Sequence, residues 1–147
     1  DRNAVGPEAK KGNELFFGRA ACHTCHLGES FTDGKFHNLG VGWDDASRAF
    51  RDVGRYGVTK QEVDLGAFKT PTLRDVSRHA PYMHDGSAGT LREVVDLYNR
   101  GGTKNPQLSA KIFPLGLTGG EVDALVAFMK ALDSDLPIEE PPAAFPR

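Results

Sequence analysis

The feature that most constrains this chain is the run Cys22-His23-Thr24-Cys25-His26, which contains both of its cysteines. Two cysteines separated by two residues and followed at once by histidine are the attachment signature of c-type haem. Each thiol adds to one vinyl group of the haem, and the adjacent histidine lies beneath the iron as an axial ligand. We therefore predict one covalently bound haem c, attached at Cys22 and Cys25, with His26 as the proximal ligand of the iron.

Two other uses of this cysteine pair fit the sequence less well. A thioredoxin-like redox pair needs a preceding strand and an opening helix in a β-α-β setting, whereas a histidine directly after the second cysteine is typical of haem attachment. A structural zinc site needs four ligands, and the chain has no second cysteine pair to complete one.

Length, charge and hydropathy narrow the class of protein further. The 147 residues fit one domain with tails, and the formal net charge of -2 provides no electrostatic basis for binding nucleic acid. No apolar run approaches the length of a membrane span, so we expect none. The sequence opens at Asp1 on a polar stretch, which predicts a mature chain whose leader has already been removed.

Composition and periodicity divide the chain into three regions. Residues 1–11 are polar and are interpreted as a leader strap. Residues 12–135 are predicted to form an all-α, cytochrome c-like domain of short helices and long loops around the haem. Residues 136–147 contain four prolines and are predicted to form an extended C-terminal arm.

Within the central region, local signals predict the first elements. A short helix over 12–20 is expected to deliver the haem motif. Glycines are frequent over 28–57, which predicts a long loop around the haem with a short helix near 44–50. The segment 68–74 is predicted to be extended at first because Thr70 precedes a proline.

Two later helices begin at capping boxes. Thr90 and Glu93 start the first, and Thr118 and Glu121 start the second. In the first helix, positions spaced by three and four residues place one set of side chains on a single face: Leu91, Val94, Val95 and Tyr98. A similar apolar stripe follows the second box.

Several ordered motifs carry a resemblance to a known family. They are Cys22-His23-Thr24-Cys25-His26, Phe31-Thr32-Asp33-Gly34, Phe36-His37-Asn38-Leu39-Gly40, Phe68-Lys69-Thr70-Pro71-Thr72-Leu73-Arg74 and Ala80-Pro81-Tyr82-Met83-His84-Asp85-Gly86. Together they resemble the C-terminal haem domain of bacterial dihaem cytochrome c peroxidases and MauG-type enzymes, over roughly residues 12–133.

The resemblance implies a protein of two haem domains. Its N-terminal domain carries a peroxide-reactive haem, and its C-terminal domain carries a six-coordinate haem that stores and passes electrons. This chain has a single attachment motif, which departs from that pattern. The second haem domain is therefore expected on a separate chain or on a part that was removed, or else the chain is a free-standing monohaem relative.

The sixth ligand of the iron has several candidates. His23 lies inside the attachment loop and cannot reach the opposite face of the haem. Met129 lies on an apolar helical stripe, which is typical of core packing, and His37 and His79 lie in loops that no pattern aims at the iron. Met83 is the strongest rival, since a methionine on a Pro-rich loop completes the iron in many small cytochromes and raises its potential.

Tyr98 is the predicted distal ligand. The resemblance implies it, because MauG-type enzymes place tyrosine where the peroxidases have methionine, and Leu97-Tyr98-Asn99-Arg100-Gly101-Gly102 matches their pattern. The alternative is a buried tyrosine with a hydrogen-bonded hydroxyl. An unperturbed phenol has a pKa of about 10, but ferric iron favours its anion.

Four further residues have predicted roles. Arg74 is the candidate partner of a haem propionate, because a guanidinium pairs well with a carboxylate. The resemblance implies a calcium ion at the domain interface, bound through backbone carbonyls that map to His79 and Pro81. Trp43 is expected to pack against the haem or a partner, and His84 to join a hydrogen-bond network with Asp85.

Three functions follow from these alternatives. The chain is predicted to be the electron-transfer part of a periplasmic, peroxide-dependent oxidoreductase that acts with a redox donor or protein substrate. It is otherwise a monohaem electron carrier with Met83 as ligand. A sensor with an open sixth position is the third.

Overall fold

Helices account for most of the regular structure in residues 5–137, the part of the chain that the computed structural model describes. The four α-helices of this part are α1 Pro7–Phe17, α2 Tyr56–Thr59, α3 Leu91–Asn99 and α4 Gly119–Lys130. Its three 3₁₀ turns are Cys22–Thr24, Glu62–Asp64 and Val76–Arg78. No helix among these residues is long and apolar enough to cross a membrane.

Helix α1 begins before the position expected from the sequence. Pro7 stands at its start behind Gly6 as N-cap, where a fixed φ suits the first turn and the missing amide is not needed. Residues 7–11 are therefore helical, and the interpretation of 1–11 as a strap does not hold for them. Residues 1–4 lie outside the described residues, as does the predicted C-terminal arm from residue 138 onward.

The contact between α1 and α4 forms the centre of the core. Gly12 permits the close approach, because a side-chain carbon added there would overlap the carbonyl oxygen of Ala124 and lie 2.7 Å from Phe128 Cβ. Phe16 is 2% exposed, and its ring centroid lies 5.1 Å from that of Phe128. The buried core cluster consists of Leu15, Phe16, Ala20, Leu73, Leu91, Val95, Leu117, Val122, Ala124, Leu125, Phe128 and Met129.

Both predicted capping boxes are present. In α3, the Glu93 amide donates to Thr90 Oγ1 at 3.2 Å, and the Thr90 amide donates to Glu93 Oε2 at 3.0 Å. In α4, the Thr118 amide donates to Glu121 Oε2 at 2.9 Å. These bonds satisfy amides that have no partner inside the helix, so they set where each helix begins.

Two small antiparallel sheets correct the all-α expectation. Strand β1 (Phe36–Asn38) pairs with β4 (Ala67–Lys69), with His37 opposite Phe68. Strand β2 (Trp43–Asp44) pairs with β3 (Ala49–Phe50), so the short helix predicted near 44–50 is a hairpin instead. Asp44 accepts the Ala46 amide at 2.8 Å, which stabilises the turn between the two strands. Two strand pairs therefore hold the long loop after the cysteine motif in place.

Candidate haem-attachment site

The cysteine motif forms a tight turn directly after α1. Cys22 to Thr24 make a 3₁₀ turn, entered through Ala21 at a φ of 53°. The His26 amide donates to the Cys22 carbonyl at 2.9 Å, which closes the turn at His26. Both cysteines are free thiols and partly buried, so they are not joined to each other as a disulfide.

Electrostatics at the two thiols disfavour a redox-active pair. Burial raises the pKa of the Cys22 thiol to about 12. Burial also raises the pKa of Cys25, although Lys111 and Thr24 oppose the shift. Reactive cysteine pairs depend on a lowered pKa that supplies thiolate, so these surroundings disfavour thiol–disulfide exchange.

His26 has the protonation pattern that an iron ligand needs. Its Nδ1 lies 2.9 Å from the Phe31 carbonyl oxygen. Since a carbonyl can only accept, Nδ1 must carry the proton, which leaves the Nε2 lone pair free for a metal. Burial lowers the pKa of the imidazole and keeps it neutral. Two free thiols and a neutral histidine with one oriented nitrogen therefore fit a c-type haem.

The loop that supplies the Phe31 carbonyl is itself held in place. The Thr32 amide donates to the Leu27 carbonyl at 3.0 Å, and Thr32 Oγ1 donates to the Thr70 carbonyl at 2.7 Å. Hydrogen bonds of this kind around a metal-binding histidine fix the orientation of its ring. The segments around Thr70 and His26, which are distant in sequence, act together at the proximal side of the site.

Tyr98 lies in the last turn of α3 and is partly buried. Burial raises the pKa of its phenol, and the electrostatic influence of Cys25 and Cys22 raises it further. Helix α3 therefore brings the phenol within electrostatic range of the attachment motif. Leu91 and Val95, which share its face, are buried in the core, whereas Val94 is partly exposed.

Met83 faces different surroundings. It lies at a φ of 69° in the loop between the 3₁₀ turn Val76–Arg78 and α3. It lines a concave pocket of about 540 Å³ together with Trp43, Arg51 and Leu97. Within the described residues, the lining of this pocket includes none of Cys22, Cys25, His26 or Tyr98. Met83 therefore lies at this pocket, whereas the electrostatic influence of Cys25 and Cys22 reaches Tyr98.

The other candidate ligands have partners of their own. His23 Nδ1 lies 3.3 Å from the Phe16 carbonyl oxygen, His37 Nε2 lies 2.8 Å from Asp33 Oδ2, and Met129 is 7% exposed in the core. His84 stacks on Phe68 with 3.5 Å between ring centroids.

The residues predicted to bind a haem propionate or calcium are exposed. Arg74 is exposed, its Nε donates to the Glu29 carbonyl at 2.8 Å, and its guanidinium lies 5.0 Å from the centroid of the Phe31 ring. It therefore lies close to the proximal loop, and its pairing with a propionate stays a prediction. His79 and Pro81 lie on an exposed loop, and calcium binding through their carbonyls also stays a prediction.

Trp43 is engaged within its own loop. Its ring packs edge-on against Phe50 with 5.0 Å between centroids, and its Nε1 donates to Asp45 at 2.8 Å. It also lines the pocket that contains Met83. Packing is therefore the observed role of Trp43, with Phe50 as its partner.

Sequence reasoning missed the charged cluster beside Cys25. Asp33 accepts the Lys35 amide at 2.9 Å and lies 2.8 Å from His37 Nε2. Ligating atoms of Cys25, Asp33 and His37 all lie within 4.8 Å of one another, and Lys111 Nζ lies 3.9 Å from Asp33 Oδ2. No periodic pattern connects these positions, so only the folded chain reveals the cluster.

Comparison with curated proteins finds relatives across nearly the whole chain, although no family model matches it. The chain is 39% identical to the cytochrome-c peroxidase IdrP1 of Denitromonas iodatirespirans, over 94% of this chain and 43% of that protein. It is 41% identical to the methylamine utilization protein MauG of Methylorubrum extorquens, over 92% of this chain and 37% of that protein. The chain therefore spans about two-fifths of the length of these relatives.

Solved structures agree with the curated relatives. A MauG-like protein associated with microbial copper homeostasis superposes with a TM-score of 0.81 at 32% identity, over 89% of this chain and 48% of that one. The dihaem peroxidase BthA of Burkholderia thailandensis superposes with a TM-score of 0.70 at 20% identity, over 91% of this chain and 44% of that one. The second likeness concerns the fold alone.

Proposed function

We propose that this chain, which is similar over nearly its whole length to part of bacterial cytochrome c peroxidases and MauG proteins, is the electron-transfer haem domain of such an oxidoreductase. In this proposal the domain holds one haem c through Cys22 and Cys25, with His26 as proximal ligand. The observation that carries the proposal is the hydrogen bond from His26 Nδ1 to the Phe31 carbonyl, because it leaves the Nε2 lone pair available in a motif whose two thiols are free.

When bound, haem c supplies one-electron redox chemistry at its iron. The residues of this chain then decide which oxidation state is favoured. Tyr98, as the proposed distal ligand, would offer an anionic oxygen, which stabilises the ferric state and lowers the reduction potential. Met83 would offer a neutral thioether, which has the opposite effect. A tyrosine ligand thus suits a domain that holds oxidising equivalents.

Binding of Tyr98 to iron requires loss of its phenolic proton. Burial raises the pKa of Tyr98 in the haem-free chain, so the phenol is neutral there at physiological pH. A trivalent cation can lower that pKa far enough for the anion to form, as metals do for bound water and thiols. The last turn of a capped helix keeps the phenol in a defined position, which favours one ligand geometry over several.

The relatives contain a long region that has no counterpart in this chain, and we infer the partners of the domain from it. The relatives are more than twice as long as the matched region, and we propose that a second haem domain or chain carries the peroxide-reactive haem. This domain would relay electrons between that haem and a redox donor or protein substrate. Such a second domain would also complete a calcium site with the carbonyls of His79 and Pro81. Because bacteria attach c-type haem on the outer side of the inner membrane, we propose a periplasmic location for this protein.

Absorption spectra of two variants test the proposal against the electron-carrier alternative. We expect the Tyr98→Phe variant, which removes one oxygen, to make the ferric haem high-spin or water-ligated and easier to reduce. We expect the Met83→Leu variant to keep a spectrum close to that of the wild type. The reverse pattern, in which Met83→Leu disrupts a low-spin spectrum that Tyr98→Phe leaves intact, would contradict tyrosine ligation and support a Met83-ligated carrier.

A further inference from the structure

A buried carboxylate lies beside the sulfur at which the haem is proposed to attach. The side chain of Asp33 is only 5% exposed, and a carboxylate oxygen lies within 4.8 Å of Cys25 Sγ. The Lys35 amide and His37 bond this carboxylate directly. A charge held this close to Cys25 Sγ and shielded from water would act on a haem attached there more strongly than a surface charge would.

Lys111 joins the same cluster from a distant part of the chain. Its Nζ donates to the Thr24 carbonyl inside the attachment turn at 2.7 Å and lies 3.9 Å from Asp33 Oδ2. Its side chain is 42% exposed, compared with 5% for Asp33. Lys111 thus fastens the loop before α4 to the attachment turn and places a positive charge beside the negative one.

We propose that Asp33 and Lys111 are a matched pair of charges that sets the reduction potential of the haem from the Cys25 side, each in the opposite direction. This inference rests on the proposed haem attachment but does not depend on which residue is the distal ligand. In this proposal the two residues affect the reduction potential electrostatically, through space and through the attachment turn. Neither residue binds the iron.

The sign of each effect follows from the charge of the oxidised site. The ferric state carries one more positive charge than the ferrous state, so a nearby anion stabilises it and a nearby cation destabilises it. Removal of the Asp33 charge is expected to raise the potential, and removal of the Lys111 charge to lower it. Because water screens Lys111 more than Asp33, the change for Asp33 should be the larger of the two.

Potentiometric titration of the haem-loaded chain at neutral pH tests this pair. The test variants are Asp33→Asn and Lys111→Gln, compared with the charge-preserving variants Asp33→Glu and Lys111→Arg. Glu8→Gln and Lys10→Gln serve as remote controls, because both residues are exposed near the start of α1, at the end away from the attachment turn. Haem content and the ferric spectrum are recorded for every variant before titration.

The expected result is an upward shift for Asp33→Asn and a smaller downward shift for Lys111→Gln. The charge-preserving and remote variants should stay near the wild-type potential. Shifts of the same sign, or no shift in variants that keep their haem and spectrum, would overturn the inference. If Asp33→Asn fails to fold, Lys111→Gln decides alone, since its side chain is half exposed. A wild-type chain that cannot attach haem would overturn the proposed function as well.

Discussion

At the scale of single residues, Glu121 links the stability of the folded protein to pH. Its Oε1 lies 2.5 Å from Arg19 Nη2, and its Oε2 accepts the Thr118 amide and hydroxyl. The hydrogen bond from Arg19 and those from Thr118 lower the pKa of Glu121 from 4.5 to about 2. The carboxylate links the segment after α1 to the start of α4.

The lowered pKa of Glu121 predicts a specific loss of stability in acid. A carboxyl group with a folded-state pKa below its unfolded value contributes stability that is complete above the unfolded value. That contribution is lost as pH falls from about 4.5 through about 2. Melting temperatures between pH 6 and pH 2 should therefore fall more steeply for the wild type than for Glu121→Gln, which should already be less stable at pH 7.

Glu8→Gln provides the control for the acid experiment. Glu8 lies exposed in the first turn of α1 and makes no ion pair among the described residues. Its variant should follow the wild-type pH profile. Parallel curves for the wild type and Glu121→Gln over this range would show that the Arg19–Glu121 pair does not link the fold to pH.

At the scale of elements, the packing of α1 on α4 carries the haem motif. Helix α1 ends five residues before Cys22, and its buried Phe16 ring lies 6.5 Å from the His26 ring, centroid to centroid. Phe128 of α4 lies 6.2 Å from Phe31, whose carbonyl bonds His26. A shift of α1 against α4 would therefore reach both the attachment turn and the proximal histidine.

Two glycine variants test this contact with opposite expected outcomes. Gly12→Ala should destabilise the domain by about 1–3 kcal/mol or more, because the new methyl group has no space against Ala124 and Phe128. Gly120→Ala, in the first turn of α4, should be neutral or should stabilise by about 0.5–1 kcal/mol, because the new carbon meets open space. Urea unfolding of the haem-loaded chain measures both. Equal stability of the two variants would contradict the close packing of α1 on α4.

At the scale of the whole molecule, the haem is expected to be part of the core. The described residues bury a modest apolar cluster around α1, α3 and α4, while much of the remaining chain is loop. A large ring that fills the space between the attachment turn and α3 would supply apolar contacts that the loops lack. Folding and haem attachment should therefore be linked.

The double variant Cys22→Ala with Cys25→Ala tests this link. It should lose its haem on extraction with acidic acetone, because no thioether then holds the ring. It should also fold poorly, since the loss of large buried groups costs several kcal/mol each. Circular dichroism of the haem-free variant measures the second effect. A native helical spectrum without haem would show that the protein core is sufficient by itself.

The sequence alone determined the features whose physical cause is local. The attachment signature lies within five consecutive residues, so its chemistry needs no knowledge of the fold. The capping boxes of α3 and α4 act between residues three positions apart, and both form as predicted. The buried face of α3 follows from its own periodicity, which places Leu91 and Val95 in the core.

Only the tertiary structure decided the features that join distant segments. Residues 44–50 form a hairpin because Trp43 packs on Phe50 across the strands and Asp44 caps the turn, although the sequence there was interpreted as helical. Lys111 meets Asp33 and Thr24 only because the loop before α4 folds back on the attachment turn. The physical reason is that such contacts depend on how whole segments pack, and the same local sequence is compatible with several packings.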